Sequence, residues 1–124
     1  MSQEWNDDQP IYRQIRDRIV SLILQGVFKE GDPIPSVRQL SKDYQINHLT
    51  VSKAYQELVN EQWVEKRRGL GMFVMAGACC NIRKKEQLQF LESELPAFVT
   101  RINELQMDLN EVIEKIRELD GGQA

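Results

Sequence analysis

Residues Pro35–Val74 read PSVRQLSKDYQINHLTVSKAYQELVNEQWVEKRRGLGMFV. Ser36 is placed to cap a helix over 37–44, with Gln39 three residues on completing a capping box. Gln45 and Ile46 make a short turn, and Asn47 caps a second helix that runs to about Glu61. Two short helices joined by so tight a turn are the arrangement that lays a second helix in a DNA major groove. The stretch therefore predicts a helix-turn-helix.

The second helix divides into two faces. Val51, Ala54, Tyr55 and Leu58 recur at three- and four-residue spacing and share one stripe to be buried. His48, Leu49, Ser52, Lys53 and Gln56 point the other way, with no carboxylate before Glu57. Such a face suits a groove with phosphates at its rims and hydrogen-bonding base edges on its floor. An ordinary amphipathic surface helix divides in the same way, so this helix does not decide the function alone.

The segment after this helix is more decisive. Trp63–Lys66 and Met72–Met75 read as two short strands, with Arg67, Arg68, Gly69, Leu70 and Gly71 as a hairpin tip between them. Glycine permits positive φ and close backbone approach, and arginine at such a tip reaches phosphates or a narrow minor groove. The alternative is a solvated turn with incidental charges. A helix pair directly before it favours a basic wing.

These residues resemble the GntR family of bacterial transcription regulators, and the short chain resembles its YtrA-like subfamily. The resemblance begins at Pro10-Ile11-Tyr12-Arg13-Gln14-Ile15, continues through Gly26, Glu30-Gly31-Asp32 and Pro35–Leu40, and takes in Asn47, Thr50-Val51, Ala54-Tyr55, Leu58 and Arg68–Val74. It covers roughly residues 10 to 75. It implies a mainly α fold with a small β-wing: a winged helix-turn-helix over 1–78, then a helical dimerisation region over 79–124. It also implies a homodimer on a double-stranded, palindromic DNA operator, acting as a repressor. Within it, Ser36 and Arg38 approach DNA from the first motif helix. Asn47, His48, Leu49, Thr50 and Ser52 face the major groove, and Arg68 and Gly69 reach toward the minor groove; Lys53 on the polar helix face and Arg67 and Gly71 at the hairpin tip complete the set of residues expected to contact DNA. Members often carry arginines where this chain has His48 and Ser52, so the commonest bidentate guanine reader is missing there.

Upstream, Ile11, Tyr12, Ile15, Ile19, Leu22 and Ile23 form a helical stripe that Gly26 ends as a C′ residue. This helix is expected to complete a three-helix core. Gly31, Pro33 and Pro35 make the next connection stiff and non-helical.

Downstream, Leu88, Leu91, Leu95, Phe98 and Ile102 alternate steps of three and four, and Leu105, Leu109, Val112, Ile116 and Leu119 carry the pattern on. That is a heptad seam, which needs a partner surface and marks a dimerisation element. Pro96 removes an interior hydrogen bond, and Asp108 with Glu111 resembles a fresh helix start. Two helices, near 81–105 and 108–119, are favoured over one continuous coil.

Composition is consistent with a small regulator. The 124 residues carry a net charge of −3. Residues 1–80 hold ten Lys/Arg and ten Asp/Glu, and residues 81–124 hold six and nine, so the deficit lies wholly in the second part. Attraction to DNA depends on the local field rather than the total. No stretch approaches the length of apolar sequence that spans a bilayer. The residues from Met1 to Pro10 are acidic, unlike a secretion leader, so a cytoplasmic chain with no membrane partner is expected. Cys79 and Cys80 are the only cysteines and His48 the only histidine, too few for a metal site. The cysteines read as reduced and inert, with redox sensing or soft-metal binding as the alternative. Neither a cofactor nor enzyme activity is expected, because the glycines at 69 and 71 lack the strand-to-helix setting of a phosphate loop. A winged helix that contacts protein and not DNA is the competing reading. The operator and any small-molecule effector are not legible.

Overall fold

The computed structural model describes residues 8–122; residues 1–7, most of the acidic N-terminal stretch, lie outside them. The element order is α1 (Ile11–Leu24), α2 (Val37–Tyr44), α3 (His48–Asn60), β1 (Val64–Arg67), β2 (Gly71–Val74), α4 (Ala78–Gln89), a π-helical turn (Phe90–Glu94), α5 (Leu95–Glu104) and α6 (Leu109–Gly121). The chain divides into two compact units, one ending at Lys84 and the other beginning at Lys85.

In the first unit α1 and α2 both pack on α3. Ile15, Ile19, Val20 and Ile23 from α1 meet Leu40 from α2 and Val51, Ala54, Tyr55 and Leu58 from α3 in one buried cluster. Removing each valine, leucine or isoleucine side chain of this cluster from water contributes about 1.5–3 kcal/mol. Gly26, at φ 84°, ends α1 as expected. The Val27 amide donates to Leu22 O at 2.9 Å and the Gly26 amide to Ile23 O at 3.1 Å, the paired bonds of a Schellman motif.

Local chemistry sets the turn between α2 and α3. Ser36 Oγ accepts the Gln39 amide at 3.0 Å, but the expected capping box is only half made. The Gln39 side chain donates instead to Asp43 Oδ1 at 2.8 Å, because a bond to an ionised acceptor one turn on is the stronger option. Gln45 takes a left-handed conformation at φ 56°, which lets the Ile46 amide return to Ser41 O at 3.0 Å. The Ser41 hydroxyl donates to the Ile46 carbonyl, and Asn47 Oδ1 accepts the Leu49 amide at 2.8 Å to start α3.

The wing is an antiparallel pair with Val64 opposite Val74 and Arg67 opposite Gly71. Both strands begin one residue away from the expected bounds. Trp63 is spent on closing α3, its amide donating to Leu58 O at 3.1 Å, although its carbonyl still accepts the Met75 amide at 2.9 Å. At the other end Arg67 and Gly71 belong to the ladder, so the tip is only Arg68, Gly69 and Leu70. The Leu70 amide closes it on Arg67 O at 2.9 Å, with Gly69 at φ 77°.

The connection before α2 is more than a stiff linker. Gly31 donates to Val74 O at 2.8 Å, Val74 to Asp32 O at 2.9 Å and Ile34 to Met72 O at 2.9 Å. Residues 31–34 thus line the free edge of β2, with Pro33 opposite Phe73 in an isolated antiparallel bridge. Pro33 is tolerated there because an edge position needs no inward amide donor.

The second part differs from expectation in where it starts. α4 begins at Ala78 and not near 81, because Ala78 and Ile82 are buried in the N-terminal cluster. Pro96 is accommodated by the π-helical turn before it, where the Leu95 amide donates to Phe90 O. Such a turn takes in an extra residue, so Leu88 and Leu91 fall out of line with Leu95 and Phe98. Gln106, at φ 54°, ends α5, and Asp108 Oδ1 accepts the Asn110 amide at 3.2 Å to cap α6. Leu88, Leu91, Leu95, Phe98, Leu105, Leu109, Ile116 and Leu119 are exposed and Val112 is half-buried. Ile102 is the exception at 6% exposed, so it is covered without a second chain.

Candidate nucleic-acid interface

Two helix starts and one hairpin tip carry the candidate residues. Arg38 stands exposed on the first turn of α2, just past the Ser36 cap. His48 and Leu49 stand exposed on the first turn of α3, past the Asn47 cap. Neither first turn has an acidic residue, so the positive end of each helix dipole is left uncompensated there. An open concavity of about 560 Å³ joins the two starts, lined by Val37, Arg38, Ser41, Lys42 and His48.

The expected set is thus partly gathered. Arg38 and His48 share this concavity, and Lys42, outside the set expected from sequence, joins them one turn after Arg38. A basic pair at i and i+4 was the available signal. Leu49 is 67% exposed, an apolar tip suited to a thymine methyl. Thr50 and Ser52 are half-buried and give the α3 face less than their sequence position implied. The Lys53 ammonium lies 4.1 Å from the centroid of the Tyr12 ring, a contact that the helical pattern of either segment did not reveal.

The wing sorts its two arginines. Arg67 Nε donates to Glu65 Oε1 at 2.9 Å, and its guanidinium lies 4.3 Å from the Phe73 ring centroid. It belongs to the strand and braces the hairpin, which corrects its expected place at the tip. Arg68, Gly69 and Leu70 are exposed, and Leu70 at 72% is among the most exposed large apolar residues.

Behind this surface, Tyr55 ties α3 to the start of the motif. Its hydroxyl donates to Pro35 O at 2.7 Å. Burial, reinforced by neighbouring Tyr44, pushes the ionisation of that hydroxyl far above the usual tyrosine range, so it remains a donor. Cys79 is half-buried and accepts from Arg83 at 3.2 Å, while Cys80 is exposed; both are free thiols. Among the described residues no group of three or more His, Cys, Asp or Glu is placed to hold a metal. No helix among them is long and apolar enough to cross a membrane.

Comparison with known proteins agrees with this geometry. The family described as "Bacterial regulatory proteins, gntR family" matches residues 11–74. The HTH-type transcriptional repressor YtrA of Bacillus subtilis (strain 168) is 33% identical over 110 residues, covering 89% of this chain and 84% of its own. The crystal structure of a GntR-family transcriptional regulator from Bacteroides thetaiotaomicron superposes with a TM-score of 0.75 at 33% identity, over 93% of this chain and 100% of that one. The AraR DNA-binding domain, crystallised with operator ORX1, covers 60% of this chain and 94% of its own at 26% identity and a TM-score of 0.55.

Proposed function

Since this chain belongs to the gntR family of bacterial regulatory proteins, we propose that it is a cytoplasmic repressor that grips a two-fold symmetric operator as a homodimer. That it is a DNA-binding transcription regulator follows from the family. The finer reading rests on the concavity between α2 and α3, where Arg38, Lys42 and His48 converge beside an α3 first turn without acidic residues. A helix start of this charge offers backbone amides and cations to phosphates while its side chains meet base edges.

Dimerisation is assigned to the region after Lys84. That region leaves eight large apolar side chains of the seam in water, more exposed apolar surface than a chain that stays monomeric usually carries. A second copy offers the same seam in return, and a two-fold axis pairs two winged helices with two half-sites.

A winged helix that contacts only protein would also expose Arg38 and Arg68. It gives no reason for a cation at the α2 start and another at the hairpin tip, with no carboxylate in the first turn of α2 or α3. A mobility shift with random-sequence duplex across a salt series separates the two readings. Contact with phosphates requires the logarithm of affinity to fall linearly with the logarithm of salt concentration; binding that ignores salt, or no binding at all, counts against the DNA reading of this surface.

A further inference from the structure

Tyr12 lies in the first turn of α1 and Lys53 in the middle of α3, and the packing of these helices brings them together. The Lys53 ammonium stands 4.1 Å from the Tyr12 ring centroid, within the range at which a ring face attracts a cation. The carboxylate at the usual pairing distance does not claim it. Glu57 lies one helical turn beyond Lys53, the spacing of a helix ion pair, yet its Oε2 is buried without a hydrogen-bond partner. Neither α1 nor α3 has an acidic residue in its first turn. Lys53 is exposed, so its charge faces water with one side against the ring and its remaining N–H donors free to meet an acceptor.

A lysine that meets a phosphate gives up much of its rotamer freedom. A ring that already holds the ammonium lessens that loss, which is the advantage of preorganisation. We propose that Tyr12 is a positioning residue for DNA binding, its ring holding the Lys53 ammonium where it meets a phosphate of the duplex backbone. The proposal rests on the reading of α3 as the DNA-facing helix. It assigns to α1 a part in recognition that its packing role does not require.

The test uses the full chain and a random-sequence duplex, with affinity measured by anisotropy across a salt series. Lys53→Ala should weaken binding roughly fivefold at low salt and flatten the slope of log affinity against log salt by about 0.9, one phosphate contact. Tyr12→Leu should weaken binding about two- to fivefold, the range of an exposed cation–π contact, whereas Tyr12→Phe should match the wild type. In a Lys53→Ala background, Tyr12→Leu should cost nothing further. Thermal melts accompany each variant, and Tyr12→Met, which keeps apolar bulk without a ring, replaces Leu if that variant unfolds. A Tyr12 effect that persists in the Lys53→Ala background, or is absent while Lys53→Ala weakens binding, overturns the proposal. Lys53→Ala with unchanged affinity and slope also overturns it, by removing Lys53 from the phosphates. Wild-type binding without salt dependence instead defeats the underlying DNA reading.

Discussion

Glu30 and Gly77 stand 47 positions apart, and a Glu30 carboxylate oxygen accepts the Gly77 amide at 2.6 Å. The bond joins the loop after α1 to the turn that launches α4. The neighbouring residues are arranged to the same end. Gly31 takes φ 84°, which few side chains tolerate, and Asp32 Oδ2 accepts the Lys29 amide at 2.8 Å. The Glu-Gly-Asp triplet thus turns the chain onto the edge of β2 and ties down the beginning of α4.

Removing this tie should loosen the first unit without touching the DNA-facing surface. Glu30→Ala is expected to lower unfolding stability by about 1 kcal/mol, below the roughly 1.5–3 kcal/mol of a buried charge-assisted bond because both groups are solvent-accessible. Glu30→Gln, which can still accept, should lose less. Urea unfolding measures both, and an alanine variant of wild-type stability would show the tie to be dispensable.

Three glutamines carry positive φ, at 56° for Gln45, 64° for Gln62 and 54° for Gln106. Each sits just past a helix end where glycine is the usual choice. A residue with a Cβ loses about 1–2 kcal/mol in that conformation, partly offset by the greater unfolded-state freedom that glycine brings. Gln62→Gly and Gln106→Gly should therefore stabilise the chain by roughly 0.5–1 kcal/mol. A fall in the urea midpoint of either variant would mean that the glutamine side chain makes a compensating contact.

The two wing arginines should separate in a salt series. Arg68→Ala is expected to reduce affinity and flatten the salt slope by about one unit, as loss of one phosphate contact requires. Arg67→Ala should leave the slope nearly unchanged and lower stability, because its guanidinium is occupied by Glu65 and Phe73. Arg38→Ala in the same assay should weaken binding by roughly 1–3 kcal/mol. Equal slopes for Arg68→Ala and the wild type would remove the wing tip from the interface.

Much of this architecture was legible because it rests on short-range rules. Ser36, Asn47 and Asp108 cap helices by contacts two or three residues away, and periodicity alone identified Ile15, Ile19, Val51, Ala54, Tyr55 and Leu58 as core. The bridging of residues 31–34 to β2 was not legible, because the partner lies about forty residues on and the segment contains a proline that argues against strand pairing. Arg67 was misplaced by one residue of register, which is all that separates a tip from a strand. The Tyr12–Lys53 contact and the shared concavity of Arg38 and His48 depend on how helices cross, a tertiary fact that neither segment encodes by itself. The heptad seam was visible as a repeat, but the π-helical turn before Pro96 and the burial of Ile102 break it into parts with different roles.

Those parts should respond differently to charge. Leu105 is 52% exposed and Ile102 6%. Leu105→Asp should dissociate the proposed dimer in sedimentation while leaving helix content intact. Ile102→Asp places an unpaired charge in an apolar site, so it should also lower the melting temperature of the dissociated chain. If Leu105→Asp sediments as the wild type does, the seam is not where the copies meet.

The central claim is that two copies of this surface read one two-fold symmetric site. The most direct measurement is sedimentation of the full chain with a duplex selected from random sequence, intact or with one half-site scrambled. The account predicts two chains per intact duplex, half-sites whose centres lie roughly 34 Å apart, and a large loss of affinity when either half is scrambled. One chain per duplex, bound as tightly after either half is scrambled, would contradict it.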